Sequence, residues 1–158
     1  MILLKDRSIA TLVGGLIGDS IWAPFETDTA ERVAEKLRAR QGLRYHKYRN
    51  PWPDDDNGEF LPAGRPTDDS DQTADLCFSL LQCDGINPAH LRRSLQNSVN
   101  LGVSRLWERG RATGAGGTTR RMLSTDEDEQ ARARANPIAS NGSLMRSAPM
   151  ALWLGPTP

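Results

Sequence analysis

The chain is expected to be all-α. Apolar residues recur at three- and four-residue spacing in several segments, cap and stop residues bracket those segments, and no β-alternation of useful length occurs in its 158 residues. A domain of this size buries roughly two thirds of the surface that its unfolded chain exposes, enough for a real core. One domain over 1–158, without internal repeats, is the expectation.

Ile9 through Trp22 reads as the first helix, with Ala10, Val13, Gly14, Ile17, Gly18 and Ile21 in a period of three to four. Gly14, Gly15 and Gly18 each cost a helix about 1 kcal/mol relative to alanine, so close backbone packing is expected to offset them. Thr29 caps a second helix that runs to about Arg40, with Val33 and Leu37 on one face and Gly42 as the stop. Residues 43–65 contain Pro51, Pro53 and Pro62, the acidic run Asp54 to Asp56, and Tyr45, Tyr48, Trp52 and Phe60. That mixture predicts a long loop, for which a packed functional lid and a disordered segment are both open readings.

A third helix starts at Thr67 or Asp68, turns Thr73, Leu76, Cys77, Leu80 and Leu81 inward, and ends at Asp84-Gly85. Asn87-Pro88 opens a fourth, with Leu91, Leu95, Val99, Val103 and Leu106 inward and Gly110 as its stop. After a glycine-rich turn over 110–117, Thr118 or Thr119 caps a short turn holding Met122 and Leu123. Asp126 to Glu129, followed by Arg132 and Arg134, places acids and bases at the helix ends that the macrodipole prefers. Asn136-Pro137 breaks the chain, Asn141-Gly142-Ser143 makes a tight turn, and Pro149 restarts a last helix carrying Met150, Leu152, Trp153 and Leu154.

Twenty Lys and Arg balance twenty Asp and Glu, so no basic field exists to attract nucleic acid or anionic lipid. No apolar run approaches the roughly 18 residues of a bilayer span, and 1–4 is too short for a signal peptide's apolar region. A cytoplasmic protein with no membrane or nucleic-acid partner is the expectation. Cys77 and Cys83, nearly opposite in phase on one helix, read as reduced structural thiols. His46 and His90 are isolated and read as surface residues.

Three carboxylates, Asp68, Asp69 and Asp71, fall within four residues. Helix capping accounts for one or two of them. Three, beside the hydroxyls of Thr67 and Ser70, also form the oxygen set that Mg²⁺ or Ca²⁺ prefers, and a cation would relieve their repulsion. Asp19 sits near the C-terminal end of an apolar helix, where a negative charge needs compensation. It is either bonded to backbone amides or part of a site with Glu26. Asn141-Gly142-Ser143 offers N–H groups and a hydroxyl suited to an anion, although most such turns are only turns.

Four segments in order resemble the ADP-ribosylglycohydrolase family. They are Gly14-Gly15-Leu16-Ile17-Gly18-Asp19 with Pro24-Phe25-Glu26, then Thr67-Asp68-Asp69-Ser70, then Gly116-Gly117-Thr118-Thr119-Arg120, and finally Asn141-Gly142-Ser143-Leu144-Met145-Arg146. The resemblance implies an all-α fold and a pair of Mg²⁺ ions that hold the distal ribose of ADP-ribose. Thr67, Asp68 and Asp69 would then be metal ligands, Asn141, Gly142 and Ser143 would line the ADP-ribose site, and Glu26 would be catalytic. The substrate would be an ADP-ribosylated protein or small molecule.

Two departures accompany the resemblance. Family members are longer, and a C-terminal Gly-Asp-x-Asp-Thr segment supplies their remaining metal ligands; this sequence has no such segment. At most a partial Mg²⁺ site is therefore implied, in the N-terminal part of the fold: a fragment, one part of a split protein or an inactive remnant. Self-association through an apolar face left uncovered is also expected. In addition, Gly114 stands where arginine-specific members carry an acid, so arginine is not secured as the leaving group.

Overall fold

Eight α-helices dominate the computed structural model, which describes residues 4–40, 42, 44–45, 47–49, 60–101, 106, 115–135 and 142–155. Helix α1 (Leu4–Trp22) starts five residues before the periodic segment and runs directly into a 3-10 turn, Ala23–Phe25, in which Pro24 takes an early position. Helix α2 (Ala30–Ala39) is capped as expected: Thr29 Oγ1 accepts the Arg32 N–H at 3.4 Å. It stops at Gly42, whose φ of +106° suits only glycine and whose N–H reaches the Leu37 carbonyl at 2.9 Å.

Within 43–65 the described residues include a two-residue antiparallel ladder, β1 (Tyr48–Arg49) with β2 (Phe60–Leu61), pairing Tyr48 with Leu61 and Arg49 with Phe60. Two residues a strand make no sheet layer. The ladder nevertheless places Leu61 against Ala23, both of them buried. This part of the segment is therefore packed on the protein.

Helix α3 (Asp68–Cys83) is central: α4 (Pro88–Leu101), α7 (Gly142–Met145), α8 (Ala148–Leu154) and α1 all touch it. Both of its ends follow the sequence, with Thr67 accepting the Asp69 N–H at 3.3 Å and Asp84 at φ +49° before Gly85. Its facing differs from expectation. Leu76 and Leu80 are buried, but Leu81 is 72% exposed, and the most deeply buried side chains are Gln72, Asp75 and Ser79. The buried face is rotated by about one residue, roughly 100°.

Polar pairing across the α3–α4 interface accounts for that rotation. Ser94 donates to Asp75 Oδ1 at 2.8 Å, Ser98 donates to Oδ2, and His90 Nδ1 lies 3.0 Å from Ser79 Oγ. His90 is thus half-buried and bonded rather than a free surface residue. Helix α4 opens as expected, with Asn87 Oδ1 accepting the His90 N–H at 3.0 Å. Val103 and Gly110 lie outside the described residues, as does His46, and Leu106 is exposed rather than inward. Leu80→Ala is expected to cost about 2–5 kcal/mol and Leu81→Ala less than about 0.5 kcal/mol in urea unfolding. Equal costs would contradict this facing.

Helix α5 (Gly117–Leu123) starts at Gly116, so Thr118 and Thr119 lie inside it instead of capping it. Gln96 of α4 donates to the Leu123 carbonyl at 2.9 Å and ties α5 to the core. Helix α6 (Glu127–Ala135) is capped by Asp126, whose Oδ1 accepts the N–H groups of Asp128 and Glu129. Only Ala133 of α6 is buried, in keeping with a solvated helix.

A methyl group at Gly14, Gly15 or Gly18 would meet no atom of another element within 4 Å, so the close packing expected at these glycines is not made among the described residues. Ile9, Val13 and Ile17, four residues apart on the same helix, are exposed. By length and composition Lys5–Phe25, with a mean hydropathy of 1.2, could cross a membrane, whereas the apolar runs of the sequence suggest no such span. Core helices meet the same measure, and Asp19 within this one is bonded to α3. Cys77 and Cys83 are free thiols.

Candidate functional site

Compensation for Asp19 comes from the N-terminus of α3. Thr67 donates its N–H to Asp19 Oδ2 at 2.9 Å and its hydroxyl to Oδ1 at 2.7 Å, while Ser70 donates its N–H at 3.3 Å and its hydroxyl at 2.5 Å to Oδ2. A carboxylate at the unfavourable end of α1 thereby sits on the favourable end of α3. The backbone-bonded reading of Asp19 holds, and the same contact fixes where the next two carboxylates stand.

Those carboxylates, Asp68 and Asp69, line a cleft of about 1330 Å³ between α1, the first turns of α3 and the start of α5. Gly15, Gly18, Asp19 and Glu26 line it from one side, Gly116 to Arg120 from another, and Gly142 with Met145 from a third. Four segments far apart in sequence thus converge on one space. Thr67 lines the cleft as well; Gly142 is buried there, Ser143 is exposed and not among the lining residues, and Asn141 lies outside the described residues.

Glu26 occupies a tight turn. Its N–H reaches the Ala23 carbonyl at 3.3 Å, and the next residue, Thr27, has a φ of +69°, a left-handed conformation that costs a β-branched residue about 1–3 kcal/mol. Phe25 is buried beneath it, with Trp22 edge-on at 5.4 Å between ring centroids and the Arg40 guanidinium 5.6 Å from the ring centre. Lys36 bonds Asp28 and the Pro24 carbonyl, which closes the turn from the α2 side. The Glu26 carboxylate is left exposed at the cleft.

Crowding of like charges shapes the electrostatics. Burial, then the charges of Asp69, Glu26 and Asp19, push the Asp68 carboxyl up to about 7. Burial, then Asp19, raises Asp69 as well. Burial lowers the Arg146 guanidinium while the Asp68 charge opposes that shift. Because the folded Asp68 holds its proton to higher pH than the unfolded group, the metal-free chain loses stability as pH rises from about 4 to 7 and levels off above. Thermal unfolding in chelator between about pH 5 and 8 should show Tm falling, with a shallower slope in Asp68→Asn. A Tm that rises over that interval would contradict the crowding.

The oxygens suit a hard cation. Thr67 Oγ1 donates its proton to Asp19 and accepts the Asp69 N–H, which leaves one lone pair beside two carboxylates that repel each other. Among the described residues no three His, Cys, Asp or Glu side chains are grouped to hold a metal ion, so these residues would supply at most part of a coordination shell. Waters would complete it, since Mg²⁺ commonly keeps several.

Two further residues join the site: Gln72, which sequence reasoning did not single out, and Arg146, which ends the fourth family-like segment but is given no role by it. Gln72 Nε2 donates to Asp68 Oδ2 at 2.8 Å, and Arg146 donates to Gln72 Oε1. The first pair is visible in the sequence as an i, i+4 spacing on one helix. Nothing local links Gln72 to Arg146, which lies 74 residues away.

A model of one family, ADP-ribosylglycohydrolase, matches residues 2–158. No curated protein and no solved structure matches the chain.

Proposed function

Because the chain belongs to the ADP-ribosylglycohydrolase family, we propose that its cleft binds ADP-ribose with Mg²⁺ and hydrolyses the bond between the anomeric carbon and an acceptor. The acceptor is a modified protein residue or a small molecule. The observation that carries this reading is the convergence of Thr67, Asp68, Asp69, Glu26 and Gly142 on one cleft. Thr67, Asp68 and Asp69 would hold the cation, which when bound supplies positive charge to orient ribose hydroxyls and an attacking water.

The chain's own groups do the rest. Asp19 locks the first turn of α3, so that the ligand oxygens keep their places. Gly142 and Gly116 present backbone to the substrate without side-chain bulk. Glu26 takes a proton from the attacking water as the water's oxygen bonds to the anomeric carbon. The bond to the acceptor breaks, its electron pair leaves with the acceptor, and the proton taken up by Glu26 passes to that group, so that one water is divided between ADP-ribose and the acceptor. Positive charge developing on the ribose is stabilised by the carboxylates around it.

The incomplete acid set among the described residues favours a second reading, a non-catalytic ADP-ribose or partner-binding protein. Release of free ADP-ribose from an ADP-ribosylated peptide by the purified chain with Mg²⁺ separates the two. Turnover supports the hydrolase; binding of ADP-ribose without turnover at any Mg²⁺ concentration supports the binder. Self-association through the exposed Ile9, Val13 and Ile17 stripe belongs to either reading.

A further inference from the structure

Gln72 is 1% exposed yet polar, on a helix whose neighbouring buried positions include leucines. A buried amide requires partners for both ends of its head group. Its oxygen faces the Arg146 guanidinium, which can only donate. The nitrogen therefore faces Asp68, to whose Oδ2 it donates at 2.8 Å. Arg146 thus dictates which way the Gln72 amide points, and Gln72 dictates which Asp68 oxygen is occupied.

A second tether runs beside the first. The Thr73 hydroxyl donates to the Asp69 carbonyl at 2.7 Å and lies 3.5 Å from the Met145 carbonyl, so the segment carrying Arg146 meets α3 at two adjacent positions. That segment also contributes Gly142 to the cleft.

We propose that Gln72 and Arg146 are a positioning pair: Arg146 orients the Gln72 amide, which holds Asp68 Oδ2 so that Oδ1 is the oxygen offered to a cation. The pair joins the cation end of α3 to the segment at Gly142, so that the two sides of the cleft keep a fixed relation. This rests on the reading of Asp68 as a cation ligand. Gln72 and Arg146 are not catalytic residues, because neither is required to touch the substrate or the reacting atoms.

The test is divalent-cation affinity of the full chain, measured with Mn²⁺ as probe by electron paramagnetic resonance of the free ion. Circular dichroism confirms the fold of each variant at the working temperature. Gln72→Met, which keeps volume but neither donates nor accepts strongly, should weaken Mn²⁺ binding about tenfold or more. Arg146→Met should weaken it comparably, Arg146→Lys should bind within about threefold of wild type, and the Gln72→Met/Arg146→Met double variant should be no weaker than Gln72→Met alone. Wild-type affinity in both single methionine variants would overturn the pair, as would strictly additive losses. A structural role alone would move Tm without moving affinity. If Gln72→Met does not fold, Arg146→Met against Arg146→Lys decides. Absence of Mn²⁺ binding by the wild-type chain would overturn the cation reading together with the pair, whereas binding unchanged by the variants overturns the pair only.

Discussion

Replacing both Asp68 and Asp69 by alanine is expected to abolish divalent-cation binding and any release of ADP-ribose while raising stability. The functional loss follows from removing both carboxylates of the cation set, and a fall in turnover of about 100-fold or more is the expected scale for losing metal ligands. The stability gain follows from crowding. Asp68 is pushed up to about 7 and Asp69 is raised too, so near neutral pH the fold carries carboxylates that it disfavours in charged form. A tenfold change in a carboxylate's proton affinity corresponds to about 1.4 kcal/mol, which solvent screening reduces at the half-buried Asp69. Each acid's favourable place at a helix N-terminus offsets a further 0.3–1 kcal/mol or so, roughly. Removing Asp68 also leaves the buried Gln72 amide nitrogen without its acceptor, at a cost of about 1–3 kcal/mol. A net gain of no more than about 2 kcal/mol in urea unfolding with chelator present is therefore expected. A destabilised double variant would mean that the capping by these acids and the Asp68 bond to Gln72 outweigh the crowding. A stabilised but inactive one would mean that the site is held against the preference of the fold.

Asp19→Ala should act in the opposite direction and destabilise the fold. Four donors at the start of α3 converge on Asp19, two of them backbone N–H groups. Hydrogen bonds to a charged group contribute about 1.5–3 kcal/mol each, and part of that is regained when water reaches this partly buried spot. A loss of about 3 kcal/mol is the expected result in urea unfolding. Asp19→Asn should lose less in stability, since one amide oxygen still accepts. In both variants the Asp69 carboxyl should titrate closer to an ordinary aspartate, because the Asp19 charge is one cause of its raised value. Carbon-detected carboxyl titration reads that shift. An Asp19→Ala chain as stable as wild type would remove Asp19 from its anchoring place.

Local physics made much of the fold legible. The caps at Thr29, Thr67 and Asn87 and the left-handed stops near Gly42 and Gly85 are short-range chemistry, and each stands where the sequence places it. The facing of α3 was less legible. Periodicity assumes that buried means apolar, so it turned Thr73, Cys77 and Leu81 inward. Asp75 prefers the interior only because Ser94 and Ser98, on another helix, supply its hydrogen bonds. The glycines of α1 mislead in a related way. Small residues suggest a close neighbour, but here Gly15 and Gly18 border the open cleft.

Sequence alone determined the helical class, most helix ends, the family and the identity of the oxygen-rich turn at Thr67, Asp68 and Asp69, because caps, spacing and motifs are written in adjacent residues. Tertiary structure alone decided that Asp19 anchors that turn, that Glu26 and Gly142 face it across one cleft, and that Arg146 reaches Asp68 through Gln72. The physical reason is that a hydrogen bond or a charge acts over a few ångströms of space, and residues 48 to 74 positions apart become neighbours only once the helices have packed.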